Sequence, residues 1–403
     1  MPFKIKFWLR FSLLNLFIVA FLGVILRFKI GFEFPYLNQR NIHHAHSHFA
    51  FIGWITHTLF IIIVNLIQDK SPTIQLNKYK LPIAVNLISA YGMLIAFFIG
   101  GYSIFSISFI VVSFIAALIF TRNVFFDFNK FTEKTPEIIW IKAALLFNLI
   151  SNLGTVYLVK MMLLQDFDEH WYLSAEYFYL HFLYNGFFVF CCLGLVVNEA
   201  IKNLPTYRYE KNIFIGFFAA FIPAYFLSTL WANLPIWLYT LVVLSAILQF
   251  VAWLKFIFDI QKAARQASNI SKAKTYFFLF VAIAFSIKLI LQLASTIPAL
   301  GTFVFGFRHI VIAYLHLVLL AVISGFIVSY LFELELIRKT KKSLNSIAFF
   351  FSAILLNELI LAIQGIASFT YHSIPYVNEI LFVVALFLLF GVSFILWTQQ
   401  NKT

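Results

Sequence analysis

Residues 43–67, HHAHSHFAFIGWITHTLFIIIVNLI, begin with His43, His44, His46 and His48 and run on into an almost unbroken apolar stretch. About twenty mostly apolar residues are what one helical crossing of a bilayer needs. The stretch therefore reads as a membrane span with imidazoles gathered at one end. Polar side chains at membrane depth cost free energy and are usually turned inward, which makes these histidines candidates for function.

The apolar half of this pattern recurs along the whole chain. Spans are expected near 8–28, 44–67, 81–101, 103–121, 138–162, 172–197, 212–230, 235–258, 276–298, 307–332, 344–366 and 377–397. Composition agrees: 62% of the 403 residues are apolar, 20% aromatic and 11% charged, where a soluble domain has roughly a quarter of its residues charged. There is too little polar surface to cover a soluble body. No polar or Pro/Gly/Ser-rich linker interrupts the pattern, so the expected architecture is one all-α integral membrane domain over residues 1–403, a twelve-helix bundle in contact with lipid.

The formal charge of +13 falls mostly in short loops, as a topology signal does, and does not point to nucleic acid. Lys4, Lys6 and Arg10 precede or open the first span, and every second loop after it is basic: Lys70, Lys78 and Lys80; Arg122, Lys130 and Lys134; Lys202, Arg208 and Lys211; Lys255, Lys262, Arg265, Lys272 and Lys274; Arg338, Lys339, Lys341 and Lys342. Arg27, Lys29 and Arg40 in or beside the first intervening loop are the exception, whereas Asp166, Asp168 and Glu169 make a later one acidic. This alternation expects both termini in the cytoplasm and the chain in the inner (cytoplasmic) membrane. The first run, Trp8 to Leu26, is long for a signal-peptide core and reads as the first span. Cys191 and Cys192, the only cysteines, are adjacent in an apolar run and offer neither a disulfide framework nor a metal motif.

With that topology, the histidines lie in outer loops or in the outer half of the membrane. At about 100° per residue, His46, Ala50, Gly53 and His57 share one stripe of span 2, whose small middle could admit a flat macrocycle or a close neighbouring helix. His44 and His48 share a second face. Span 10 repeats the pattern with His309, Ala313 and His316, the two rings about 10.5 Å apart along the axis. In span 6, Tyr177, His181, Tyr184 and Asn185 share a face, which puts a phenol and an amide within a turn of the imidazole. His170 and His372 read as solvated loop residues, and His57 as packed or hydrogen-bonded. Neutral imidazole ligates iron, copper and zinc without bringing charge into the membrane, and haem iron needs one or two axial ligands. Spans 2, 6 and 10 run in the same direction, four helices apart.

Twelve spans with histidines on helices 2, 6 and 10 resembles subunit I of the haem-copper oxidase superfamily. The segments HHAHSHFAFIGW and FRHIVIAYLHLVLL look like the haem-ligand helices of its divergent bacterial relatives, including oxidase-like and nitric-oxide-response membrane proteins. The resemblance implies a haem, of b type, held by one of His44, His46 and His48 together with His309 or His316. It also implies a second metal, copper or another, near His181, with Tyr184 and Asn185 behind it, and a quinol or cytochrome as electron donor. The chain departs from the family in two ways. Where the oxidases have His-Pro-Glu-Val-Tyr it has His181-Phe182-Leu183-Tyr184, and it has no histidine from Phe182 to Arg308, so the helix 7 pair that completes a three-histidine copper site is missing. The span 10 histidines are seven apart, whereas the family's usual pair is two apart. A redox or gas-responsive haem protein, an oxidoreductase only in the broad sense, fits better than an oxygen reductase.

Two charges fall inside spans: Lys288 with Gln292 one turn on, and Glu358 beside Asn357 and before Gln364. They could pair, or line a proton path, or Lys288 could snorkel to water. Asn148, Ser151 and Asn152 read as interhelical hydrogen-bonding groups. A proton-coupled transporter or metal-ion carrier using the same histidines is the alternative, with weak support from Pro223 and Pro235; an assembly protein that keeps the fold without turnover is a third reading.

Overall fold

The computed structural model describes residues 3–32, 34–133, 135–165, 168–267, 271–301, 307–369 and 372–400; Lys134 and Asp166 lie outside them. Among the described residues there is no strand, and twelve helices are long and apolar enough to cross a membrane. They are α1 (Ile5–Gly31), α2 (Gln39–Lys70), α3 (Leu76–Gly100), α4 (Ile104–Asn129), α5 (Pro136–Leu164), α6 (Glu169–Asn203), α7 (Lys211–Ala232), α8 (Ile236–Arg265), α9 (Lys272–Ala294), α10 (Arg308–Glu333), α11 (Lys341–Ser368) and α12 (Val377–Gln399). The chain is a multi-pass all-α membrane protein. Every expected span has its helix, with ends displaced by a few residues.

The helices gather into two compact units. Residues 1–132, 327–364 and 373–403 form one, and 133–326 with 365–372 form the other. In the first, α1 packs on α12 and α2, α2 on α3, and α3 on α4. In the second, α5 packs on α6, α7 on α8, α8 on α9, and the middle of α10 on both α9 and α6. The helices are capped by ordinary means: Asn38 at α2 accepts from the N–H groups of Arg40 and Asn41, Ser103 and Ser106 form a capping box at α4, and Asp168 accepts from Trp171 N–H at α6.

One irregularity recurs. Within α2, residues Phe49–Thr56 wind as π-helix, within α6 residues His181–Phe188 do, and within α10 residues Leu317–Ser324 do. π turns are rare, and where they occur they are often at functional sites. They bond i to i+5, so some carbonyls lose their α-helical partner and side chains take them up. Asn15 of α1 donates to Gly53 O at 2.5 Å and accepts from the Tyr91 hydroxyl of α3 at 2.8 Å, and Asn86 of α3 donates to Ile52 O at 3.3 Å. In α10 Ser324 Oγ donates to Leu319 O, five residues back, at 2.8 Å. Asn15→Leu would leave both Gly53 O and the Tyr91 hydroxyl without their partner in the bundle, at a cost of about 1–3 kcal/mol. A thermal unfolding midpoint in detergent equal to that of the parent would contradict this role.

One residue group behaves differently from expectation. Ser151 Oγ and Asn152 Nδ2 both donate to Asn148 O, at 2.7 and 2.8 Å, so these bonds stay within α5 instead of joining helices. The close approach of α5 to α6 comes from a small residue: a Cβ on Gly154 would stand 2.6 Å from Ala175 O and 2.8 Å from Tyr179 N.

Candidate functional site

The α2 histidines divide between two neighbours. His48 is buried, its ring stacked on Phe97 of α3 at 4.4 Å and 11°, and its Nε2 lies 3.1 Å from the Tyr102 hydroxyl. His44, one turn earlier, meets Tyr102 edge-on at 4.7 Å, and its buried Nε2 has no hydrogen-bond partner among the described residues. His46 faces the other way, toward α1, where a methyl group on Gly23 would touch its Cε1 at 3.6 Å. The shared face of His44 and His48 is thus an aromatic contact with α3, while His46 lies against α1 at Gly23. Sequence reading missed Gly23, Phe97 and Tyr102 because only packing shows which helix each face meets.

The stripe His46, Ala50, Gly53, His57 does not stay open along its length. The ring of Phe49 covers Gly53, with its Cε2 2.9 Å from where a Cβ would be, and Asn15 takes the Gly53 carbonyl. The small middle of the stripe therefore receives a neighbouring helix, α1, and not a macrocycle. Past His48 the π turn also displaces side chains from the 100° register. His57 is wholly buried and edge-on to Trp8 at 6.2 Å, packed as expected. Along this α1–α2 seam the buried hydroxyls of Ser12 and Thr56 have no partner among the described residues.

His181 opens the π segment of α6 and is 1% exposed. Its Nε2–H donates to Phe221 O of α7 at 3.0 Å, and its ring stacks on Phe221 at 4.5 Å. That carbonyl is available because α7 tightens to 3₁₀ just beyond Pro223: Tyr225 N–H turns to Ile222 O. Asn185 Nδ2 then stands 3.4 Å from His181 Nδ1. Tyr184, adjacent in sequence, is buried with His181 and Asn185. Both ring nitrogens of His181 thus have protein partners, so metal ligation here requires giving one up.

In α10, His316 Nδ1–H donates to Ile312 O at 2.8 Å, which fixes the tautomer with the lone pair on Nε2. This bond to the ring's other nitrogen is what orients and polarises a ligating histidine. His309, near the helix start, is exposed, with Nδ1 3.3 Å from Ser368 Oγ. His170 stacks on Trp231 at 5.1 Å.

Of the intramembrane charges, Lys288 belongs to one unit and Glu358 to the other. Arg27 of α1 is the countercharge that acts on Glu358 inside its own unit, and Asn357 Nδ2 donates to Glu358 Oε1 at 3.1 Å. Lys288, 2% exposed, does not snorkel to the surface; its ammonium is 5.3 Å from the Phe285 ring and acts electrostatically on His181. No three His, Cys, Asp or Glu side chains converge on a metal-sized site among the described residues. Cys191 and Cys192 are buried free thiols.

The histidines next to the π segments are therefore placed alike: His48 immediately precedes the first, His181 opens the second and His316 immediately precedes the third. No family model matches the chain, and no curated protein sequence matches it.

Proposed function

We propose that this is a haem-binding membrane protein of the oxidase-like class, acting in redox chemistry or in the response to a small gas, without a three-histidine copper centre. The observation that carries the reading is the recurrence of an imidazole at the N-terminal edge of each π segment in α2, α6 and α10. One such coincidence would be unremarked; three, in helices four apart along the chain, support a functional role for these imidazoles, since π turns and intramembrane histidines each favour functional sites.

The residues fit the group in two respects. His316 already has the tautomer that iron ligation needs, held by Ile312 O. His46 is turned toward α1, its Cε1 3.6 Å from where a methyl group on Gly23 would stand, whereas the ring of His48 faces Phe97 and Tyr102. We assign iron ligation to His316 and His46, each on the geometry of its own unit. Haem, when bound, supplies a one-electron couple and, if a coordination position is open, a site for a diatomic gas. The protein's own contribution is to fix the imidazole tautomer and to keep water away, the latter through the aromatic rings that cover the histidines within each unit, Phe97 and Tyr102 over His48 and Phe221 over His181. The alternation of basic loops supports a reading with both termini on the cytoplasmic side of the inner membrane, and a quinol or cytochrome is the class of electron donor that goes with it.

An anaerobic reduced-minus-oxidised spectrum, recorded with and without carbon monoxide, tests the reading. A Soret band and α/β bands of b type are expected, and a shift under carbon monoxide if a position is open. A chain that carries no chromophore after haem-replete expression would sink it.

A further inference from the structure

Lys288 lies six residues before the end of α9, about 9 Å along the axis, and its side chain stays inside the protein at 2% exposure. It forms no ion pair among the described residues; its ammonium has only the face of Phe285, 5.3 Å away. Gln292, one turn on and on the same side of α9, is 8% exposed, and its buried Oε1 has no hydrogen-bond partner among the described residues. From α6, His181 comes within electrostatic range of Lys288, but it gives its own N–H to Phe221 O and cannot neutralise a cation. Lys288, Gln292 and His181 belong to one unit.

A buried charge is tolerated when it is paired and hydrogen-bonded. The Phe285 face offsets only part of the cost, since cation–π attraction is modest beside desolvation. What the ammonium lacks is an anionic partner, and the Gln292 amide offers a second donor one turn away. We propose that Lys288 and Gln292 form a binding site for a small monovalent anion of carboxylate size. The inference does not depend on haem. A carboxylate attached to a larger ligand, such as a porphyrin propionate, has the same chemistry, and the test separates the two sources.

The experiment uses the full-length protein in lipid nanodiscs, with formate as the probe, formamide as its uncharged control, and the thermal unfolding midpoint as readout. Formate is expected to raise the midpoint saturably and formamide not to. Lys288→Met should lose the response without lowering the midpoint in formate-free buffer, because it removes an unpaired buried charge. Gln292→Leu should weaken formate binding about tenfold, and Lys288→Arg should keep it. A response at constant Soret absorbance in haem-loaded protein identifies a free-anion site; a response confined to haem-free protein identifies a site that a propionate fills. No saturable response in either form, or a Lys288→Met variant that responds like the parent, overturns the proposal.

Discussion

Replacing His316 with alanine is expected to lower the haem retained by the purified protein at least about tenfold, since even the loss of a residue supporting a metal ligand costs that much affinity. His46→Ala is expected to do the same or to leave a haem with an altered spin state. The informative comparison is His48→Phe. His48 stacks on Phe97 and meets the Tyr102 hydroxyl, so phenylalanine keeps the ring contact and the variant should retain haem near the parental level. Absorbance at the Soret maximum per polypeptide checks all three. If His48→Phe were colourless while His46→Ala kept its haem, the assignment within α2 would be reversed.

The second large effect is structural. Asp127, near the end of α4, is wholly buried; it accepts from the Tyr79 hydroxyl at 2.6 Å and from the Lys78 ammonium, with Lys130 at 3.9 Å. The first turn of α3 is thereby tied to the end of α4. Asp127→Ala removes the common acceptor and strands a buried phenol and a cation. Because Lys78 is partly exposed and can turn to water, the expected loss is about 2–3 kcal/mol, less than for a fully buried pair. Tyr79→Phe should cost less, as it leaves the Lys78–Asp127 pair intact. Urea unfolding of the reconstituted protein measures both, and equal stability of Asp127→Ala and parent would contradict the tie.

The fold was legible because bilayer thickness sets span length, so twelve apolar runs translate directly into twelve helices. The depth ordering of the histidines was legible for the same reason: His48, His181 and His316 fall in the N-terminal halves of three helices whatever the packing. What each ring touches was not. A regular 100° rotation extrapolates smoothly from His46 to His57, but π turns between them break that register and only backbone hydrogen bonding reveals them. The environment of His46 depends on Gly23, a residue without a side chain to advertise itself. For Lys288 and Glu358 the sequence left a pair, a proton path and a snorkelling lysine open; their contacts inside their own units, Phe285 and His181 for one and Arg27 and Asn357 for the other, come from packing alone.

Haem and iron per polypeptide, measured on protein purified from haem-replete membranes, decide whether these imidazoles ligate iron. Ligation by His316 and His46 predicts a b-type haem, extractable because no covalent attachment segment is present, with iron in proportion to it. Protein that is folded and monodisperse yet contains neither porphyrin nor iron would contradict it.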